Sequence, residues 1–212
     1  YKLCLLAPGF AERDLASWRV GGYGGAPMPV PTIDALAACL PDLELVNAYG
    51  ATETTSPTTM MPPGATRAHA DTVGVALPCA EVLAMDDEGR EVPAGETGEL
   101  WIAGPMVVPG YWDNPTATAA SFSAGFWRSG DLGSVDAEGY VRVFDRKKDM
   151  LNRGGFKIYS VEVENALMGY AGVVEAAIVA RPCPVLGERV HAYLHAPSAP
   201  HDDEAVRGHC RR

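Results

Sequence analysis

Residues 47–55 read Asn-Ala-Tyr-Gly-Ala-Thr-Glu-Thr-Thr, and they follow an apolar run that contains Leu43, Leu45 and Val46. The run predicts a short buried strand, and the nine residues predict a loop at its carboxyl end, where open α/β sheets place groups that contact ligands. The hydroxyl groups suit phosphate oxygens, the carboxylate suits Mg²⁺, and the tyrosine face suits a flat base. A polar turn that leaves a strand would have the same composition, so this stretch alone leaves both interpretations open.

The overall composition indicates a globular protein with a sizeable core. Of the 212 residues, 47% are hydrophobic and 21% are charged, which allows one large domain or two smaller ones. The net charge of −10 argues against a nucleic-acid partner, because binding to a phosphate backbone needs clustered lysine and arginine. No apolar run is long enough to span a membrane. Five scattered cysteines without a CxxC pair predict reduced thiols in a cytoplasmic protein.

The first seventy residues have the pattern of a βαβ unit in a parallel sheet. A strand is predicted at 18–22, a helix at 31–40 with Thr32 as its cap, and a second strand before the Asn-Ala-Tyr stretch. The glycine pair in Gly24–Pro29 either lets the backbone approach a planar ligand or marks a plain turn before the helix. Residues 56–70 lack periodicity and predict a loop.

From residue 71 to about 144, short apolar runs alternate with turns, which predicts antiparallel strands in a small barrel or sandwich. The runs are Val73–Leu77, Val82–Met85, Gly98–Ala103, Val107–Val108, Phe126–Trp127, Leu132–Val135 and Tyr140–Phe144. Asn114 predicts the start of a short helix, and Asp136–Gly139 predicts a hairpin turn. Asp131, just before one of the runs, either caps a turn or accepts the ribose hydroxyls of a nucleotide.

The composition changes again at Asp145–Asp149, the densest charge cluster in the chain. A charged junction followed by Gly154 and Gly155 predicts a linker between domains. Beyond it, Ser160 predicts the cap of a helix, and Asp202 predicts the cap of a last helix that runs to the end of the chain. Two further strands are predicted at 173–180 and 189–196.

Taken together, these segments resemble the adenylate-forming superfamily, which includes acyl- and aryl-CoA synthetases, nonribosomal-peptide adenylation domains and beetle luciferases. The matching segments, in family order, are Gly24–Pro29, Tyr49–Thr55, Gly98–Trp112, Ser129–Leu132, Asp145–Asp149 and Arg153–Glu164. The resemblance covers essentially the whole chain and implies a truncated acyl-CoA synthetase-like fold, α/β with a β-barrel subdomain and a small α+β C-terminal domain. The implied domains are the end of the α/β AMP-binding subdomain at 1–70, the β-rich subdomain at 71–148 and a truncated mobile C-terminal domain at 149–212.

The resemblance implies a ligase that joins a small-molecule carboxylic acid to a thiol and uses ATP, Mg²⁺ and CoA. In the family reaction, the acid attacks the α-phosphorus of MgATP to form an acyl-adenylate, and the thiol then displaces AMP. The Gly154–Ile158 segment is more similar to CoA ligases than to peptide-synthetase domains. Small residues at Ala48 and Ala51 leave room for a medium or bulky acid, and we expect a fatty or aryl acid.

The resemblance also assigns a role to each matching site residue. The residues that would contact adenine are Gly24, Gly25, Ala26, Asn47 and Tyr49, and Gly50 is a further cofactor-binding residue. Thr52 would contact phosphate, and Glu53 would hold Mg²⁺. Asp131 and Arg146 would contact the ribose. Asp149 matches the hinge of the C-terminal domain, and the loop that approaches the thiol in the second step matches Gly154, Gly155 and Lys157.

Two lysine-bearing elements of the family lie outside the 212 residues, namely a phosphate loop upstream and a lysine downstream. We therefore expect a chain truncated at both ends that binds nucleotide weakly and catalyses little by itself. Two alternatives remain. One is an enzyme that loads a carrier protein, and the other is a non-catalytic fragment that binds AMP or complements a separate N-terminal segment. An exposed sheet edge would also favour self-association.

Overall fold

Two parallel strands joined by a helix form the start of the chain, as the sequence predicted. In the computed structural model, which describes residues 1–26, 28–55, 57–197 and 202–211, the first elements are α1 (Lys2–Leu5), β1 (Val20–Gly24), α2 (Val30–Cys39) and β2 (Glu44–Gly50). β1 and β2 pair in parallel, with Gly24 opposite Ala48, which confirms the βαβ prediction. Pro27 in the glycine-rich segment, Ser56 at the start of the predicted loop and Arg212 in the predicted last helix lie outside the described residues.

Helix α2 packs on β2 and begins earlier than its predicted cap. Ile33 and Leu36 are buried against Leu45 of the strand. Thr32 lies inside the first turn, since the helix starts directly after Pro29, so the cap prediction was wrong. Proline explains the difference, because its fixed φ and missing N–H suit the first turn of a helix.

The first four of residues 47–55, Asn-Ala-Tyr-Gly, lie in β2, and only the residues after Gly50 leave the strand. Strand β3 (Pro57–Met60) pairs antiparallel with β2, and strand β4 (Val75–Ala76) pairs antiparallel with β3, so the sheet order is β1-β2-β3-β4. The loop predicted at 56–70 was therefore wrong at its start. Thr58 and Thr59 are both buried, and a strand that is buried on both faces lacks the alternation that marks strands in a sequence.

The middle of the chain forms a second, antiparallel sheet, as its hairpin pattern predicted, but the predicted run Val73–Leu77 contributes β4 to the first sheet instead. Its strands are β5 (Glu81–Met85), β6 (Gly98–Ala103), β7 (Phe122–Ser123), β8 (Phe126–Val135) and β9 (Val141–Arg146). The order is β5-β6-β8-β7, with β9 also on β8. Leu100, Ile102 and Val141 are fully buried in its core. Two predicted runs are joined in the single strand β8, and Val107–Val108 forms no strand.

Local capping groups fix the ends of the helix and the turns in this part of the chain. Helix α3 (Pro115–Ser121) begins after Asn114, whose side chain accepts a hydrogen bond from the backbone N–H of Ala117 at 3.0 Å, as predicted. Gly139 has φ +85°, which confirms the predicted hairpin turn between β8 and β9.

The last part of the chain has its own sheet and core. Its elements are β10 (Leu151–Arg153), β11 (Phe156–Ile158), α4 (Ser160–Met168), β12 (Glu175–Cys183), β13 (Gly187–His195) and α5 (Asp203–His209). The strand order is β11-β10-β13-β12, and Leu151, Leu167 and Ile178 form the core. The two long strands and the Asp202 cap were predicted, and the Asp202 carboxylate accepts a hydrogen bond from the N–H of Glu204 at 3.0 Å.

Ser160 is not the cap of α4 but its first residue, and the cap comes from a distant carboxylate. The backbone N–H and the hydroxyl of Ser160 both donate to Oδ2 of Asp145, at 2.6 and 2.8 Å. A carboxylate at a helix N-terminus satisfies an unpaired N–H and interacts favourably with the helix dipole. The sequence pattern gave no sign of a partner fifteen residues away.

Contacts divide the chain into two compact units, Tyr1–Val143 and Phe144–Arg212, which we call the first and second unit. The three-part division at 70 and 148 remains a prediction. Across the described ranges, no helix combines the length and the apolar character that crossing a membrane requires.

Candidate functional site

Gly24 and Gly25 shape the carboxyl end of β1 beside β2. A Cβ on Gly24 would lie 2.2 Å from the carbonyl oxygen of Ala48, the residue opposite it in the parallel register. Gly25 has φ +74°, a left-handed conformation that L side chains rarely adopt. The first glycine therefore permits a close approach of the two strands, and the second permits the turn that leads into the exposed Ala26.

Tyr49 and Asp131 contact each other directly, although they lie 82 residues apart in the sequence. The phenol of Tyr49, which extends from β2, donates a hydrogen bond to Oδ2 of Asp131 at 2.6 Å. The Asp131 side chain is only 6% exposed, and Tyr49 also packs on the core of the second sheet. The structure thus brings an aromatic ring and a carboxylate together at the carboxyl end of β2.

A bulge in β8 gives Asp131 its orientation. Asp131 was predicted just before a strand, but it lies inside β8, where the pairing with β6 changes register. Gly130 has φ +72°, and the Ser129 hydroxyl donates to the carbonyl of Leu100 at 2.7 Å while accepting the N–H of Asp131 at 3.0 Å. Bulges of this kind often redirect a side chain next to an active site.

Glu53 lies on a short turn that directly follows β2. Buried Thr54 stabilises this turn, because its hydroxyl accepts the N–H of Ala51 at 3.0 Å and donates to the carbonyl of the same residue at 3.0 Å. Oε1 of the half-buried Glu53 accepts a hydrogen bond from the phenol of Tyr111 at 2.8 Å. Thr52, on the same turn, is exposed to solvent.

Asn47 has a structural partner in addition to its expected role. Its side-chain N–H donates to the carbonyl of Thr72 at 3.1 Å, and the residue is 7% exposed. This bond ties β2 to the segment that leads into β4. Gly50, at the end of β2, lies where the pairing with β3 shifts register.

The donor set around Glu53 fits a magnesium ion carried by a nucleotide better than a resident metal. Among the described residues, no three His, Cys, Asp or Glu side chains are grouped so that they could hold a metal ion. Protein-bound Mg²⁺ usually keeps several waters and is held by one or two carboxylates together with substrate phosphates. A single oriented carboxylate is therefore the donor set that such an ion needs from the protein.

The second unit carries the other predicted site residues within one continuous segment. The N–H of Arg146 donates to Oδ1 of Asp145 at 2.8 Å, and the N–H of Asp149 donates to the carbonyl of Arg146 at 2.9 Å. Gly154 and Gly155 have φ +63° and +93° and form the turn between β10 and β11. Lys157, on β11, is exposed.

A cysteine that the sequence did not single out lies beside this turn. The backbone N–H groups of Val185 and Leu186 lower the pKa of Cys183 below its usual value, and Arg189 and Arg153 add to the effect. The carbonyl of Leu186 also accepts the N–H of Gly154 at 2.8 Å. Hydrogen bonds that stabilise a thiolate in this way make a cysteine more reactive, but no sequence pattern marks Cys183.

Two family models match the chain, one described as AMP-binding enzyme over residues 1–112 and one described as AMP-binding enzyme C-terminal domain over residues 162–212. The chain belongs to the AMP-binding enzyme family. This membership confirms the resemblance to the adenylate-forming superfamily and the predicted fold class. Tyr111 was not singled out from the sequence, although it lies within the segment Gly98–Trp112 that carried the resemblance.

Two curated relatives illustrate the range of proteins to which the chain is similar. A long-chain-fatty-acid–CoA ligase of Yersinia pestis is 34% identical over 203 residues, which cover 96% of this chain and 36% of the relative. The fatty acid–[acyl-carrier-protein] ligase ScoC of Streptomyces coeruleorubidus is 36% identical over 201 residues, which cover 92% of this chain and 38% of the relative. The chain thus spans a little over a third of the length of these proteins.

Solved structures agree with this assignment. The amide bond synthetase McbA from Marinactinospora thermotolerans matches with a TM-score of 0.89 and 33% identity, covering 99% of this chain and 43% of McbA. The o-succinylbenzoate CoA synthetase MenE from Bacillus subtilis, in complex with its acyl-adenylate OSB-AMP, matches with a TM-score of 0.86 and 31% identity, covering 94% of this chain and 40% of MenE.

Proposed function

We propose that this chain forms the adenosine-binding part of an acid–thiol ligase of the acyl-CoA synthetase type. The observation that carries the proposal is the hydrogen bond between Tyr49 and Asp131 beside the glycine turn after β1. It joins a flat aromatic surface and a buried carboxylate at the carboxyl end of a parallel strand pair, the location where α/β sheets bind nucleotides.

In this proposal, adenine stacks between the ring of Tyr49 and the backbone of Gly24 and Gly25. A base can approach this backbone closely, because neither glycine carries a Cβ. Asp131 accepts hydrogen bonds from the ribose hydroxyls. A carboxylate has about four acceptor sites, so the bond from Tyr49 leaves it acceptor capacity.

The turn after β2 binds the phosphates and the magnesium ion of ATP in this proposal. The exposed hydroxyl of Thr52 donates to phosphate oxygens, and Glu53 holds the magnesium ion that accompanies ATP. When bound, Mg²⁺ neutralises charge on the phosphate chain, which is the main requirement of phosphoryl chemistry. The protein's own contribution is position, because buried Thr54 fixes the turn that carries both residues.

The glycine turn with Lys157 serves the thiol half of the reaction in this proposal. Arg146 keeps its expected role at the ribose, and Asp149 is the hinge. Support comes from the positive φ angles of Gly154 and Gly155, which make a tight turn that carries no side chain at its tip. A backbone of this kind can approach a narrow pantetheine arm closely.

We infer CoA as the acceptor and a fatty or aryl acid as the substrate, since relatives are named for long-chain fatty acids and for feruloyl-CoA synthesis. The identity to ScoC supports a second candidate, the loading of an acyl carrier protein. All five cysteines are free, which supports a reducing compartment such as the cytoplasm. To separate the two acceptors, the acyl-adenylate is supplied with CoA or with a phosphopantetheinylated carrier protein, and the thioester formed in each case is measured.

Calorimetric titration of the chain with AMP tests the proposal directly. A hydrogen bond to a charged group such as the Asp131 carboxylate is worth about 1.5–3 kcal/mol. We therefore expect Asp131→Ala and Asp131→Asn to weaken AMP binding about 10–100-fold. Glu138→Ala, in the exposed turn after β8, is the matched control and should bind as the wild type does. Equal AMP affinity in all four proteins, or no AMP binding by the wild type, would refute the proposal.

A further inference from the structure

Tyr111, which the sequence analysis did not single out, contacts the carboxylate to which we have assigned magnesium. Its phenol donates to Oε1 of Glu53 at 2.8 Å, across 58 residues of sequence. Within the described ranges, Oε2 of Glu53 has no hydrogen-bond partner. One oxygen of the carboxylate is thus held and the other is available.

The Tyr111 ring is fixed by contacts that do not involve Glu53. Its backbone N–H donates to the hydroxyl of Thr118 at 2.9 Å. The ring packs edge-to-face on Phe122, with 5.6 Å between the ring centroids. Gly110 brings the backbone so close to α3 that a Cβ there would lie 2.6 Å from Cγ2 of Thr118. The phenol therefore reaches Glu53 from a preorganised position.

The same segment also holds the backbone of Glu53. The N–H of Val108 donates to the carbonyl oxygen of Glu53 at 2.8 Å. The main chain and the side chain of this residue are thereby both tied to residues 108–111, and rotation about the last side-chain bond is restricted. A carboxylate without such a bond rotates broadly, because this terminal torsion has no sharp minima.

Orientation matters for magnesium more than for most cations. Mg²⁺ demands near-ideal octahedral geometry, so a carboxylate whose free oxygen points in one direction binds it with less loss of entropy. Groups that hydrogen-bond to a metal ligand commonly change metal affinity about 10–100-fold when they are removed. The packing of the ring itself does not need the hydroxyl, because a phenylalanine would make the same contacts with Phe122.

We propose that Tyr111 is a positioning residue that orients Glu53 for the magnesium ion of the bound nucleotide. The inference rests on the proposed function, since it takes Glu53 as the magnesium ligand. Removing the hydroxyl leaves the ring in place but releases the carboxylate. The expected consequence is a weaker metal–nucleotide complex with an unchanged affinity for metal-free AMP.

Electron paramagnetic resonance of Mn²⁺ tests this without relying on turnover. Mn²⁺ has the same preference for oxygen ligands as Mg²⁺ and is titrated into the chain with adenosine 5′-(α,β-methylene)triphosphate. We expect Tyr111→Phe to raise the Mn²⁺ dissociation constant of this ternary complex about tenfold and to leave AMP affinity unchanged within about twofold. Tyr140→Phe is the control, because the Tyr140 phenol makes no hydrogen bond among the described residues.

Glu53→Gln separates this inference from the proposed function. If Glu53→Gln weakens Mn²⁺ binding and Tyr111→Phe does not, only the role of Tyr111 is wrong. If Glu53→Gln has no effect, or the wild type retains no Mn²⁺, the magnesium assignment fails as well. Tyr111→Phe should also add nothing in the Glu53→Gln background. An equal loss of metal-free AMP binding in Tyr111→Phe would indicate a merely structural role and overturn the proposal.

Discussion

Gly24→Ala should destabilise the first unit, because the added methyl has no space between the paired strands. The new Cβ would lie 2.2 Å from the carbonyl oxygen of Ala48, about 1.2 Å short of the 3.4 Å at which ordinary contacts begin. The obstacle is a backbone atom of the neighbouring strand, so no side-chain rotation relieves it. The two strands have to separate, and overpacking of this kind costs about 1–3 kcal/mol.

Gly22→Ala is the matched control for this substitution. Gly22 lies two residues earlier in β1 and therefore on the same face, yet a Cβ there meets nothing within 4 Å. Neither glycine has a positive φ. The control should be neutral or stabilise the unit by about 0.4–1 kcal/mol, because alanine restricts the unfolded chain.

Urea denaturation followed by circular dichroism gives the free energy of unfolding of both variants, and AMP calorimetry gives their affinity for nucleotide. We expect Gly24→Ala to lose stability and AMP affinity together, and Gly22→Ala to retain both. Equal unfolding free energies for the two variants would show that the strands adjust freely. Glycine at position 24 would then not be required for the close approach of β1 and β2.

Two further predictions follow from shifted pKa values. Backbone N–H groups of the β12–β13 turn, that of Val185 above all, lower the pKa of Cys183, so iodoacetamide should modify it faster at pH 7 than the other four cysteines; equal rates by peptide mass spectrometry would contradict this. Burial acts to raise the pKa of Asp136, but the N–H of Tyr140 and the Arg142 guanidinium outweigh it and lower that pKa. A lowered folded-state pKa contributes stability that is present above the unfolded value of about 3.9 and lost as pH falls through the folded value. The unfolding free energy should therefore drop in this acid range, and Asp136→Asn should make the drop shallower; an unchanged pH profile in urea titrations would contradict it.

Features stabilised by neighbouring residues were predictable from the sequence. The caps at Asn114 and Asp202 each depend on a backbone N–H within three residues, and both occur as predicted. The parallel pairing of β1 and β2 followed from a strand-helix-strand pattern in a short segment. In such cases both partners of the interaction lie close together in the sequence, so a local pattern reveals them.

Features whose partners are distant in sequence were not predictable from local patterns. The cap of α4 comes from Asp145, and the partner of Glu53 is Tyr111. Thr58 and Thr59 lie in a strand that is buried because β2 pairs with it on one side and β4 on the other. The family resemblance indicated which residues belong to a site, but only coordinates give the bond between Tyr49 and Asp131.

The bonds between Asp145 and Ser160 have a mechanical consequence. Asp149, which we propose as a hinge, lies between these residues in the chain, so a rotation of α4 relative to Asp145 about Asp149 would break both bonds. Each bond to a charged group is worth about 1.5–3 kcal/mol, and Asp145 is only 5% exposed, so water cannot replace them until the contact has opened. The two bonds that hold the start of α4 would then also act as a latch, because a rotation about Asp149 has to break them first.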